Sequence, residues 1–216
     1  FDPDAAWGGW RLQASLPPAT LAVGIDNTSA RFEDYTPFPD TIEGLGTRGG
    51  GADAYLDYIA GVVRPLIAAE YGATDAQAMM GSSLGGLVSL YAALRGDDLD
   101  MVASLSGTVG WGSIGPHTTT LFDLAATRGH LPVRIYLDSG GGAASCLDGD
   151  GDGIRDDSPT NADNYCENLQ FRDLLAAQGY TFEVDLWHWW EPDAPHNEAA
   201  WAARVSIPLG LIGALE

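Results

Sequence analysis

The stretch MMGSSLGGLVSLY, residues 79–91, narrows the possible folds more than any other part of the chain. An apolar run ends at Gly81, small residues follow, and a helical apolar pattern then runs through Leu87, Leu90, Tyr91 and Leu94 to Gly96. That is a buried strand turning sharply into a helix. Gly81, Ser83 and Gly85 form G-x-S-x-G, in which the serine sits at the tip of the turn and the glycines relieve crowding where the helix returns onto the strand. A serine held there is placed to act as a nucleophile. With 28 glycines in the chain the pattern also arises as an ordinary glycine-rich turn, so the chemistry needs a sheet, a base and an acid around it.

The rest of the chain supplies the sheet. TLAVGID (20–26) is an apolar run ending in Gly and Asp, as a buried parallel strand ends. Residues 49–72 carry Tyr55, Ile59, Val62, Val63, Leu66 and Ile67 at helical spacing, and Pro65 should kink that helix or restart it. AQAMMG leads into the serine turn, and MVASLSG (101–107), VRIYLDSG (133–140) and FEVDLWHWW (182–190) read as further strands. NLQFRDLLAAQG (168–179) is a helix stopped by glycine, and a final helix begins at NEAAW. Strand and helix alternate with connections of crossover length, which predicts an α/β fold with a mostly parallel sheet and helices on both faces. No repeat or linker divides the chain, so residues 1–216 read as one domain.

Thirty acidic residues against ten basic ones give a net charge of −20. Phosphates would be repelled, so neither nucleic acid nor an anionic membrane surface is an expected partner. A hydrophobic content of 45% is too high for wholesale disorder, and no apolar run reaches the roughly 18 residues of a membrane span. The chain begins at Phe1, without an initiator methionine or a basic-then-apolar leader, as a chain lacking its natural start would.

One segment breaks the alternation. GGGAASCLDGDGDGIRDDSPTNADNYC (140–166) is far longer than the few residues that join a strand to a helix. Asp148, Asp150 and Asp152 followed by Gly153 make a D-x-D-x-D-G core that gathers three carboxylates around one point, with the Ile154 carbonyl as a further ligand. Oxygen-only donors select a hard cation, and a flexible loop favours Ca²⁺ over Mg²⁺. Asp156, Asp157 or Asp163 would close the shell. The pattern departs from the EF-hand, whose bidentate Glu position is here Pro159, and is similar to the calcium loops of extracellular repeat proteins. Without a cation such a loop is only a solvated acidic turn that crowds like charges. Cys146 and Cys166 bracket the segment, and a bridge between them would contribute about 3 kcal/mol by restricting the unfolded chain. A bridge and a calcium loop both point outside the reducing cytoplasm.

The serine needs a base and an acid, which in this chain order follow as acid and then histidine. His196, in EPDAPHNEAAW after the last strand, has the address of the base. His188 lies within a strand pattern and reads as a packed ring, while His117 and His130 precede the acid strand and read as surface or cap residues. The acid should follow the strand at 133–137; Asp138 stands at its end, and Asp148, deeper in the loop, is the alternative.

GIDNTSARFEDYTPF, GGGADAYLDYI, MMGSSLGGLVSLYAAL and PHNEAAWAARV together closely resemble the putative esterase family, α/β-hydrolases grouped with esterase D, feruloyl esterase and enterochelin esterase relatives. The resemblance covers the chain outside 140–166. It implies the α/β-hydrolase fold, serine esterase chemistry, and Ser83 and His196 as the family nucleophile and base. Relatives place the acid a few residues beyond the glycine after the strand, where this chain has GGAASC after Gly140. Relatives also carry strands and an HDGQN-like turn before the segment that begins here at Phe1, and that turn supplies one of two oxyanion donors. The chain is therefore expected to lack the first strands of its domain, with the Leu84 N–H as the remaining donor.

The expected activity is cleavage of a small-molecule or carbohydrate ester by a secreted or periplasmic enzyme, through an acyl-enzyme on Ser83. Trp111, Trp187, Trp189 and Trp190 are candidates to line an aromatic cleft, although such residues are more often core. Acyl transfer to a sugar alcohol would use the same residues, and a non-catalytic calcium-stabilised binding module would keep only the shell. Labelling by a fluorophosphonate separates the enzymes from the module.

Overall fold

In the computed structural model, which describes residues 9–72, 74–116, 118–142 and 145–215, a parallel sheet is preceded by a small helical and hairpin layer. That layer holds α1 (Arg31–Tyr35), the antiparallel pair β1 (Pro39–Ile42) and β2 (Gly46–Gly49), and α2 (Ala52–Tyr58). A turn of π-helix, Ile59–Val63, joins α2 to α3 (Arg64–Tyr71). The wider turn falls just before Pro65, whose missing N–H leaves the preceding turn one bond short. The helix expected over 49–72 is thus continued through a local rewinding.

The sheet is built from β3 (Ala78–Ser82), β4 (Met101–Leu105), β5 (Arg134–Ser139) and β6 (Leu186–Trp190), all parallel and in sequential order. The crossovers are α4 (Leu84–Arg95), α5 (Leu121–Arg128) and α6 (Tyr165–Ala177), and the chain ends with α7 (Glu198–Arg204) and α8 (Ser206–Ile212). Alternate residues face opposite ways, as the two-residue strand period requires. Val102, Ile135 and Leu137 pack with α4, α5 and α6, whereas Met101, Ala103, Leu105 and Tyr136 pack towards α7 and α8. Every residue of β4 is buried, as in a parallel strand covered on both faces. No helix among the described residues is long and apolar enough to cross a membrane.

Two expectations are corrected. TLAVGID forms no strand: residues 20–28 have no strand partner, and Leu21 and Val23 are exposed. An apolar run becomes a strand only when its N–H and C=O groups find a ladder, and among the described residues β3 pairs with β4 alone. The strand expected over 182–190 begins only at Leu186, because Thr181–Leu186 is a turn in which three N–H groups share the Thr181 carbonyl. The β1–β2 hairpin and α5 are not announced by the apolar pattern of the sequence. The hairpin is held by buried Asp40, whose carboxylate accepts the N–H groups of Gly112, Ile114 and Gly115.

Candidate active site

Ser82, Leu105, Asp138 and Trp189 are in register across the sheet, so the residues just beyond them share its carboxyl end. Ser83 is the first of these. Its φ is 54° and its ψ −124°, a conformation that costs a non-glycine residue on the order of 1–3 kcal/mol. The elbow is held by its own N–H on the Leu105 carbonyl (3.0 Å) and by the Thr108 N–H on the Ser83 carbonyl (3.3 Å). A Cβ on Gly81 would fall onto the Gly85 backbone, and one on Gly86 would meet Ser104 Oγ and Gly107. A Cβ on Gly85 would meet nothing, so the close approach is made by Gly81 and Gly86. Leu84 opens α4, whose first turn carries no side-chain cap. Its N–H belongs to the group that an α-helix leaves without internal partners.

His196 lies in the loop between β6 and α7. Its Nδ1 is 2.6 Å from Asp163 Oδ1, and its ring meets Trp201 edge to face at 4.9 Å. The loop is stitched to the end of β5: Gly141 N–H donates to the Ala194 carbonyl (2.8 Å), Asp193 N–H to the Gly141 carbonyl (3.0 Å), and Asn161 Nδ2 to Asp193 Oδ1 (2.9 Å). Asn197 then caps α7 by accepting the Ala200 N–H at 3.0 Å. No hydrogen bond joins His196 to Ser83 among the described residues.

Asp163, and neither Asp138 nor Asp148, is the carboxylate that His196 meets. Asp163 is buried; its Oδ2 accepts the Ser106 hydroxyl (2.7 Å) and the Gly140 N–H. Asp138 instead takes Arg204 (3.0 Å) and the Tyr136 hydroxyl (3.0 Å), and the same Arg204 Nη2 stands 3.7 Å from Asp163 Oδ2. Burial pushes the Asp138 carboxyl up to about 6 against the opposing pull of Arg204. Asp148 is exposed in its loop, accepting the N–H groups of Gly151 and Gly153.

The loop itself is closed by a disulfide between Cys146 and Cys166, with 5.1 Å between their Cα atoms. Carboxylate oxygens of Asp148, Asp150 and Asp152 lie within 4.8 Å of one another, a donor set that suits a hard cation. Asp156 Oδ2 accepts the Gly149 N–H at 2.7 Å, and Ile154 is anchored by its buried side chain. Asp157 faces away from that cluster. Its carboxylate accepts the N–H groups of Asp163 (2.9 Å), Tyr165 (3.0 Å) and Cys166 (2.7 Å) at the start of α6. It is a cap on a helix N-terminus, a position that favours negative charge.

His188 is packed within β6, and burial drops its imidazole to about 4. His130 bonds Asp185 at 2.7 Å, and His117 lies outside the described residues. Of the four tryptophans, Trp111 is core, bonded to the Phe38 carbonyl and stacked on Phe32. Trp187 packs partly buried beside Tyr136, Trp190 lies against Tyr165, and Trp189 is exposed. The sequence signal for Asp163 was the run Gly140–Gly142. A side chain at Gly140 would strike Asp163 Oδ2 and the Ala194 carbonyl, so the glycine marks where the acid and histidine loops meet.

A parallel sheet with a serine elbow, a carboxylate loop and a histidine loop at its carboxyl end is the architecture of an α/β-hydrolase. The chain belongs to the Putative esterase family, whose profile matches residues 10–207. Solved structures similar in fold include an IroE-like serine hydrolase from Shewanella oneidensis (TM-score 0.65, 21% identity, covering 86% of this chain and 57% of that one). Others are the siderophore hydrolase EstA from Aspergillus nidulans (0.61, 19%, 85% and 67%) and the enterobactin esterase FES from Shigella flexneri (0.54, 17%, 73% and 37%). This chain thus spans less than two thirds of the length of the IroE-like hydrolase and of FES. A comparison with curated protein sequences finds no match.

Proposed function

We propose that the protein is a serine esterase in which Ser83 is the nucleophile, His196 the base and Asp163 the acid. The observation that carries this reading is the 2.6 Å contact between His196 Nδ1 and buried Asp163, at the sheet end where Ser83 forms its elbow. His196 Nε2 takes the Ser83 proton as Oγ attacks the ester carbonyl. Asp163 holds the ring and stabilises the imidazolium that forms. The Leu84 N–H donates to the developing oxyanion. The imidazolium then protonates the leaving alcohol, and water releases the acid by the reverse steps. The serine and the base need close only when substrate is bound, since catalytic hydrogen bonds are often long in free enzymes.

The substrate class that fits is an uncharged small-molecule or carbohydrate ester, because a net charge of −20 opposes polyanionic substrates. Asp148, Asp150 and Asp152 would hold one Ca²⁺, with Asp156 and the Ile154 carbonyl as further donors, fastening the loop that carries Asp163. The disulfide supports a secreted or periplasmic location. Fluorophosphonate labelling tests the reading: wild type is labelled on Ser83 and hydrolyses p-nitrophenyl acetate, and Ser83→Ala does neither. A protein that folds but is not labelled would leave the binding-module reading in place.

A further inference from the structure

Behind Asp163 the site continues inward to a second acid and a cation. Arg204 is the one buried arginine of the ten in the chain. Its Nη2 donates to Ser106 Oγ (2.8 Å) and to Asp138 Oδ1 (3.0 Å), and stands 3.7 Å from Asp163 Oδ2. Trp201 Nε1 also donates to Ser106 Oγ, at 3.0 Å. Ser106 is itself held with φ at 48°, at the tip of the turn that ends β4.

The donor inventory fixes the protons. Guanidinium and indole N–H groups can only donate, and a hydroxyl has two acceptor sites and one proton. Arg204 and Trp201 fill the acceptor sites of Ser106, so its proton goes to Asp163 Oδ2, 2.7 Å away. Asp163 Oδ2, which also takes the Gly140 N–H, is then an acceptor only. Oδ1 is left to accept from His196 Nδ1. Nδ1 carries the ring proton, and Nε2 carries the lone pair that faces substrate. Arg204 Nη2 thus serves both buried carboxylates, 3.0 Å from Asp138 Oδ1 and 3.7 Å from Asp163 Oδ2, and Asp138 leaves it only partly neutralised towards Asp163.

We propose that Arg204, with its counter-ion Asp138, is a positioning residue that acts through Ser106 to hold Asp163 as an acceptor and so sets the tautomer and basicity of His196. The proposal rests on the reading of His196 and Asp163 as base and acid. The charged and titratable groups around that pair are Asp138 and Tyr136 on β5, Arg204 and Glu198 on α7, Asp157 at the Asp163 N–H, and Asp193 in the loop before His196.

The test uses charges of opposite sign. Arg204→Met removes a positive charge, which favours the imidazolium, so the acid limb of kcat/KM on p-nitrophenyl acetate moves up by about half a pH unit to one unit. Asp138→Asn removes a negative charge that is only partly present near pH 6 and moves the limb down by a smaller amount. The double variant brings it back towards the wild-type position, and Arg204→Lys leaves it there. Ser106→Ala removes the hydroxyl link, so Arg204→Met added to it moves the limb by less than in the wild type, only the direct charge effect across 3.7 Å remaining. Should Arg204→Met alone fail to fold, the Asp138→Asn shift and its reversal in the double variant decide the matter. Nitrogen NMR of the His196 ring in a Ser83→Ala background reads tautomer and titration midpoint without turnover, so a chain that hydrolyses no ester still tests the relay. Shifts of the same sign in both single variants, or a ring protonated on Nε2 in the wild type, would overturn the proposal.

Discussion

The Asp157 carboxylate accepts the backbone N–H of Asp163 at 2.9 Å, so one acid of the loop holds in place the acid that faces His196. Two further N–H groups at the head of α6 reach the same carboxylate. The long insertion therefore does more than occupy space between β5 and α6.

Asp163→Asn should lower kcat on simple esters by about 10³–10⁴, the size of loss expected when a triad acid no longer holds the imidazole tautomer. KM should change little. Asp138→Asn, measured above pH 7, should cost no more than about tenfold at the optimum. Steady-state kinetics of the two variants side by side check the assignment, and a larger loss for Asp138→Asn would reverse it.

The glycines of the serine turn should separate sharply. Gly81→Ala has the Gly85 backbone in its way and should destabilise the fold by several kcal/mol or prevent soluble expression. Gly85→Ala faces open space inside α4 and should be neutral to stabilising, by about 0.5–1 kcal/mol, since alanine is the better helix former. Denaturant midpoints of the variants provide the comparison.

Reducing the Cys146–Cys166 bridge should cost about 3 kcal/mol and lower Tm. Calcium in excess should raise Tm and a chelator lower it, with about 2.7 kcal/mol available at one hundred times Kd. Asp150→Asn should abolish that response. A Tm indifferent to calcium in the oxidised protein would remove the metal from the account.

His188 supplies a pH dependence of known sign. Its imidazole is held neutral by burial down to about 4, whereas the unfolded chain takes up the proton near 6.5. Between those values the unfolded state binds more protons, so stability is full above about pH 6.5 and falls as the pH drops towards 4. His188→Phe should flatten that slope. Unfolding midpoints at pH 7 and pH 5 measure the difference.

The strands at 78–82, 101–105 and 134–139 were legible because each is a short apolar run closed by small residues and followed by helical spacing. TLAVGID has the same local character and forms no strand, since pairing is a property of two segments and only one is visible in a local pattern. The places of Ser83 in the turn after β3 and of His196 in the loop after β6 were legible from the chain order. Asp163 was hidden because the loop pattern offers it, like Asp157, as a donor to calcium, next to the bridging Cys166. What draws it to His196 is contact across long sequence distance: Ser106, Gly140 and Ala194 meet around it only once the sheet has formed.

Among the described residues, the strand that ends in Ser83 is laddered along one side only, β3 being terminal in the order β3-β4-β5-β6. Its amides should exchange with solvent faster than those of β4, which is laddered on both sides. Fraying would begin at β3, so the serine elbow is expected to lose its shape while the Asp163–His196 pair, carried by the β5 and β6 loops, is still intact. Partial unfolding would then disarm the nucleophile first, and heat inactivation should run ahead of the loss of helical signal.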